Sequence, residues 1–145
     1  MNRPGLAAFF LVSLGAATSS YAGKCPTTIT DAVTKAYPKG KITKCVAEKE
    51  DGVDQFEARV TVGALALELD ISTTGEITQV EQPIAVADLP AAVTKAFAAK
   101  YPKTKVTKAE QMTAGTKVSY ELAFAVKGKR KEATFAPDGA FVELE

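Results

Sequence analysis

Carboxylates recur in pairs along this chain, Glu57 with Glu121 and Glu68 with Glu132, each pair 64 positions apart. Two carboxyls can divide general-acid and general-base roles when a cleft drives their pKa values apart. Both pairs, however, fall in alternating stretches at positions opposite in phase to the apolar residues, so the expectation for them is a solvated face. The sequence contains no histidine, which removes Ser-His-Asp and Cys-His relays and any imidazole zinc site. No glycine-rich phosphate loop is present, and "DGVD" at 51–54 lacks the remaining ligands of a calcium loop. The residues therefore predict no catalytic group, no metal site and no cofactor: a chain that is not an enzyme.

The two cysteines carry the clearest chemistry. Cys25 and Cys45 are an even pair, without the CxxC spacing of a redox or metal site. Their context is set by the N-terminus, "MNRPGLAAFFLVSLGAATSSYAGK". Arg3 gives a positive n-region, residues 6–17 an apolar stretch of 12 residues, and Ser20-Tyr21-Ala22 a small-residue cleavage site. Residues 1–22 are thus expected to be a secretory signal peptide cut after Ala22. The apolar stretch is short of the roughly 20 residues a spanning helix needs, so no stable membrane insertion is expected after cleavage. Lys24 before Cys25 is unlike a lipoprotein site. In an oxidising compartment Cys25 and Cys45 are expected to form a disulfide, worth about 3 kcal/mol in the chain-entropy model.

Charge excludes one partner class. Without the signal peptide the chain holds equal numbers of basic and acidic residues, and no general basic excess points to nucleic acid. By halves the balance differs: −3 over residues 23–86 and +3 over residues 87–145. Such a dipole could steer a charged partner, or record surface drift between the halves.

The elements that would position these residues come from an internal repeat. "AYPKGKITK" at 36–44 returns as "KYPKTKVTK" at 100–108, and residues 37–81 align with 101–145 without a gap. "AVTKA" at 32–36 matches "AVTKA" at 92–96, and "FAAK" adds one helical turn to the second copy. Each copy reads as a helix followed by four strands. Ile29, Ala32, Val33, Ala36 and Tyr37 form one apolar helical face, and Leu89, Ala92, Val93, Ala96, Phe97 and Tyr101 form another. Thr28 with Asp31 resembles a capping box, and Asp88 is the expected N-cap of the second helix. Both helices should stop at Tyr-Pro. Phe56, Ala58, Val60 and Val62 then alternate with polar residues, as do Leu65, Leu67, Leu69 and Ile71, and Tyr120, Leu122, Phe124 and Val126. The expected fold class is α+β: two tandem helix–four-strand repeats, 23–86 and 87–145, in one compact domain, the helices packed on one face of an antiparallel sheet. Phe56, Leu67, Leu69, Tyr120, Leu122, Phe124, Val33 and Val93 are its expected core.

The helix ending in "AYPKGKITK", the strands "DQFEARVTV" and "ALALELDISTTGEI", and the second round from "DLPAAVTKAFAAKYPKTKVTKAE" resemble the PepSY-like family of secreted proteins. That family is related in fold to the β-lactamase-inhibitor protein, and the resemblance covers essentially all of the mature chain. It implies a periplasmic or secreted, non-catalytic binding or inhibitory module whose partner is an envelope or secreted protein. Alternation nominates Glu57, Arg59, Glu68, Glu121, Arg130 and Glu132 as the polar contact face. The basic stretch "VKGKRKEA" at 126–133 adds Lys129 and Lys131, and with Lys127 it has two accounts. It is an edge strand using lysines to block edge pairing, or an electropositive site for an acidic partner or anionic envelope surface. The alternative function is a small-ligand or stress-sensing protein with a pocket between helices and sheet. A monomer is expected. Thiol titration of the unreduced, denatured mature protein should find no free thiol; two reactive thiols would overturn the cysteine assignment.

Overall fold

The computed structural model describes residues 25–50 and 52–145; the expected signal peptide, residues 1–22, lies outside the described residues. Helix α1, Thr27–Ala36, buries Ile29 and Val33, which are one turn apart on a single side. Helix α2, Ala91–Lys100, buries Val93 and Phe97 in the same way. Each ends at a tyrosine before a proline, Tyr37 and Tyr101, since the proline ring disfavours helical geometry in the residue ahead of it. The starts differ from the expected caps. Pro26 and Pro90 occupy the N-cap positions, neither helix has a side-chain cap bond, and Asp88 belongs to a short 3-10 turn, Val86–Asp88. Thr28 and Asp31 already lie inside α1, so they form no capping box. Instead the carbonyl of Pro26 accepts from the N–H groups of Ile29 and Thr30, both at 3.0 Å.

The strands are β1 (Lys41–Glu50), β2 (Val53–Val62), β3 (Leu65–Ser72), β4 (Ile77–Ile84), β5 (Val106–Ala114), β6 (Lys117–Val126), β7 (Lys129–Phe135) and β8 (Phe141–Leu144). They form one antiparallel sheet whose spatial order is the chain order. This corrects the expected α+β class of two tandem helix–four-strand repeats: the molecule is mostly β, a single eight-stranded sheet carrying two helices of 10 residues each. The physical reason is the ladder between β4 and β5, where Val80 faces Thr113, Gln82 faces Gln111 and Ile84 faces Ala109. Backbone groups that would have been bare edges satisfy one another there, so no sheet boundary exists at residues 84–106.

Both helices lie on the same side of this sheet, over two apolar clusters. Beneath α1 are Ala58, Val60, Leu67, Leu69 and Ile71; beneath α2 are Ala109, Leu122, Phe124, Ala133 and Phe135. Of the expected core, Val33, Leu67, Leu69, Val93, Leu122 and Phe124 are buried. Phe56 and Tyr120 are only half-buried, packed on the rims of their clusters. Leu65, in phase with the core residues of β3, stays 43% exposed at the strand's start. The Cys25–Cys45 disulfide, with a Cα–Cα distance of 5.6 Å, ties the segment before α1 to β1.

Two glycines set how closely the helices approach. Gly75, in the β3–β4 turn, lies under Thr28 and Ala32 of α1, and Gly139, in the β7–β8 turn, lies under Ala92 and Ala96 of α2. A Cβ at Gly139 would stand 2.6 Å from the Ala92 carbonyl oxygen, and its φ of 87° is itself unfavourable for other residues. Gly128 has a comparable φ of 77° but open space around it. Gly139→Ala should therefore lower stability by more than Gly128→Ala, for which backbone strain alone costs about 1–2 kcal/mol. Urea denaturation of the two variants measures the difference, and equal losses would show that the α2 contact is not tight. Phe124→Ala should cost about 3–5 kcal/mol in the same assay.

Candidate binding face

Alternation sends every second side chain of each strand to the face away from the helices, and register chooses its neighbours. On β2 these are Gln55, Glu57 and Arg59. Asp70 lies opposite Glu57 and Glu68 opposite Arg59. Glu81 of β4 then lies opposite Glu68, and Glu110 of β5 opposite Glu121 of β6. Glu132 and Arg130 of β7 face Ala123 and Ala125 on the same side. The buried side chains of α1 and α2 belong to the clusters on the other side, so neither helix covers this face.

Carboxylates dominate it. Cations stand among them, each held by one acid: Lys44 Nζ lies 2.8 Å from Glu57 Oε1, and Lys108 Nζ lies 2.8 Å from Glu110 Oε2. Arg59 pairs with Glu68, and Arg130 with Glu132. Pairs this exposed contribute at most about 1 kcal/mol each; their effect is to neutralise four acids locally. Asp70, Glu81 and Glu121 have no cation partner among the described residues. Glu81 accepts a hydrogen bond from Gln79 Nε2 at 3.0 Å.

All three carboxyls are pushed up to about 7, and partial burial is the largest cause in each. Like charges add to it: Glu50 and then Glu81 act on Asp70, Glu110 on Glu81, and Glu132 and then Glu81 on Glu121. The cross-strand pairs Glu68–Glu81 and Glu110–Glu121 place like charges directly opposite, an arrangement that opposes sheet formation. The sheet forms despite it, because the other face is buried.

Glu57, Arg59, Glu68, Glu121, Arg130 and Glu132 thus share one face. Lys129 and Lys131 do not join them: they lie across from Val126 and Phe124, on the helix side. Nor is β7 an edge strand. The edges are β1 and β8, although β8 pairs only with residues 133–135 and, through backbone bonds of Glu145, with Glu132. Residues 129–131 extend beyond its reach. Asp70, Glu81 and Glu110 were missed. Asp70 was readable, two positions after Glu68 on a regular strand. Glu81 and Glu110 were not, because β4 and β5 each carry a bulge and their pairing leaves no mark in either strand. The charge balance by halves also gives way: acids of both halves converge on this one face.

The raised pKa values have a direct consequence for stability. An acid whose folded value exceeds its unfolded value near 4 favours the folded state at low pH, and that contribution is lost as pH rises from about 4 to about 7. Glu81→Gln and Glu121→Gln should therefore come closest to the parent at about pH 4 and melt at increasingly higher temperature than the parent up to about pH 8. A melting shift identical at both pH values would reject the charge clustering as its cause.

No family model matches the sequence, and no curated protein matches it. Solved structures do. A candidate periplasmic protein of Bacteroides eggerthii superposes with a TM-score of 0.71 at 16% identity, over 85% of this chain and 89% of that one. A DUF2874 family protein of Bacteroides uniformis gives 0.69 at 14% identity, over 83% and 88%. A BLIP-like protein of Bacteroides fragilis gives 0.65 at 19% identity, over 83% and 85%. None of the three descriptions names a catalytic activity. At these identities the likeness is one of fold, and the chain has a BLIP-like fold.

Proposed function

We propose that this chain is a non-catalytic, PepSY-like binding module of the periplasm or extracellular space, with an inhibitory role toward its partner. The partner is an envelope or secreted protein that docks a cationic segment on the uncovered sheet face. One observation carries this reading: among the described residues Asp70, Glu81 and Glu121 have no ion-pair partner, while Lys44, Arg59, Lys108 and Arg130 on the same face are each engaged by another acid. An incoming lysine or arginine would favour the charged form and relieve the like-charge repulsion that adds to burial in raising their pKa values, whereas an anionic partner would add to it. Two further observations agree with it. The fold neighbours include a candidate periplasmic protein and a BLIP-like protein, and the apolar layers beneath the helices are filled by side chains from both helices and strands.

Affinity capture from an envelope extract, with the mature protein immobilised, tests the reading. The captured protein should be retained at about pH 8, released by salt, and released at about pH 5 as the three carboxyls take up protons. Its capture should fail with an Asp70→Asn, Glu81→Gln, Glu121→Gln variant. Capture that survives the triple change would move the contact off this face.

A further inference from the structure

The sheet is as asymmetric along its strands as it is across its faces. In an antiparallel meander the starts of odd strands and the ends of even strands share one end. The connections gathered at that end are 37–40 and 101–105, which lead from each helix into its strand, and the hairpin tips 63–64 and 127–128. None of the four contains an acidic residue. With the first residues of β1 and β7 they present Lys39, Lys41, Lys103, Lys105, Lys127 and Lys129, all exposed. Not one of the six is in an ion pair among the described residues. The remaining connection at this end, 85–90, carries one acid, Asp88, and returns toward α2; β8 also runs toward this end, but its Glu145 pairs with Glu132, three residues short of Lys129. Of the three acids in the connections at the opposite end, Asp51, Glu76 and Asp138, the last two sit in the turns against which the helices pack.

Apolar side chains accompany the lysines. Leu65 is 43% exposed and Val126 39% exposed, each beside a hairpin tip of this end. Two lysines here also adopt left-handed backbone, Lys103 with φ 63° and Lys127 with φ 50°. Glycine or asparagine would take those positions with less strain, so the charge is present where conformation alone would select against lysine. The helix-stop signature "YPK", followed by a second lysine in both "YPKGK" and "YPKTK", supplies four of the six cations.

From this arrangement we infer that the lysine-bearing end of the sheet docks on an anionic phospholipid surface. Its lysines lie against the headgroups, and Leu65 and Val126 reach the headgroup boundary. Cations near an anionic leaflet each contribute, and a small apolar insertion adds to them without spanning the bilayer. So placed, the carboxylate-rich face would stand edge-on to the surface, open to a partner. The inference does not depend on the identity of that partner or on its binding.

Vesicle sedimentation tests it, using mature protein with vesicles of equal parts phosphatidylglycerol and phosphatidylcholine, and with phosphatidylcholine alone. Binding is expected to the first and not to the second, and should fall with added salt. A Lys103→Ser, Lys105→Ser, Lys127→Ser, Lys129→Ser variant should bind the anionic vesicles at least about tenfold more weakly. The same four changed to Arg should bind as the parent does, which separates charge from any loss of folding. Leu65→Ser with Val126→Ser should weaken binding further at high salt, where the electrostatic part is screened. Glu81→Gln with Glu121→Gln should leave vesicle binding intact, so failure of the sheet-face reading would not be mistaken for failure here. Equal binding to both vesicle types, no binding to either, or retention on a soluble sulfated polysaccharide but not on anionic vesicles, would each overturn the inference.

Discussion

The ladder between β4 and β5 is the interaction on which the rest of this molecule depends. Val80 to Thr113 and Ile84 to Ala109 are its ends, and it joins two groups of strands that each have their own apolar cluster and their own helix. Because side-chain direction alternates with a period of two, this one register decides which residues of the two groups share a face. It places Glu81 on the side of Glu110 and Glu121. A slip of one residue would turn Glu81 toward the apolar layer and Gln82 toward the carboxylates.

The two faces are coupled through that constraint. Burial of Leu69, Ile71, Leu122 and Phe124 on one side fixes the strands and obliges the alternate residues to accept whatever neighbours the register supplies. On the open side those neighbours are acids, in part directly opposite one another. Burial on the helix face is large, of order 2–3 kcal/mol per large apolar side chain, while each like-charge pair costs a fraction of that. The sheet can therefore hold a repulsive surface without losing its fold. An excess of one charge sign held on an uncovered sheet is a surface predisposed to a ligand of the other sign.

Helix placement follows a similar logic of contact over propensity. The helices have no side-chain caps, and what holds them is the buried face together with the close approach at Gly75 and Gly139. The disulfide between Cys25 and Cys45 fixes the entry to α1 against β1, the edge strand with one neighbour fewer to restrain it. Lysines cluster at the end where helices pass into strands, acids across the open face, so the charge of a nearly neutral chain is separated in space.

Local pattern in the sequence determined a good deal of this. The Tyr-Pro stops, the alternation of β2, β3 and β6, the Cys25–Cys45 pair, and the shared side of Glu57, Arg59, Glu68, Glu121, Arg130 and Glu132 all follow from spacing, because strand period and proline sterics act over a few residues. Local pattern did not reveal that the strands form one continuous sheet, because the β4–β5 contact joins residues about thirty apart through backbone groups that every residue carries. It did not reveal Glu81 and Glu110 as members of the carboxylate face, since a bulge in β4 and another in β5 break the phase from which alternation is read. Nor did it bring Lys39, Lys103 and Lys127 to one end. Those are properties of strand register and order, and only the tertiary structure decides them.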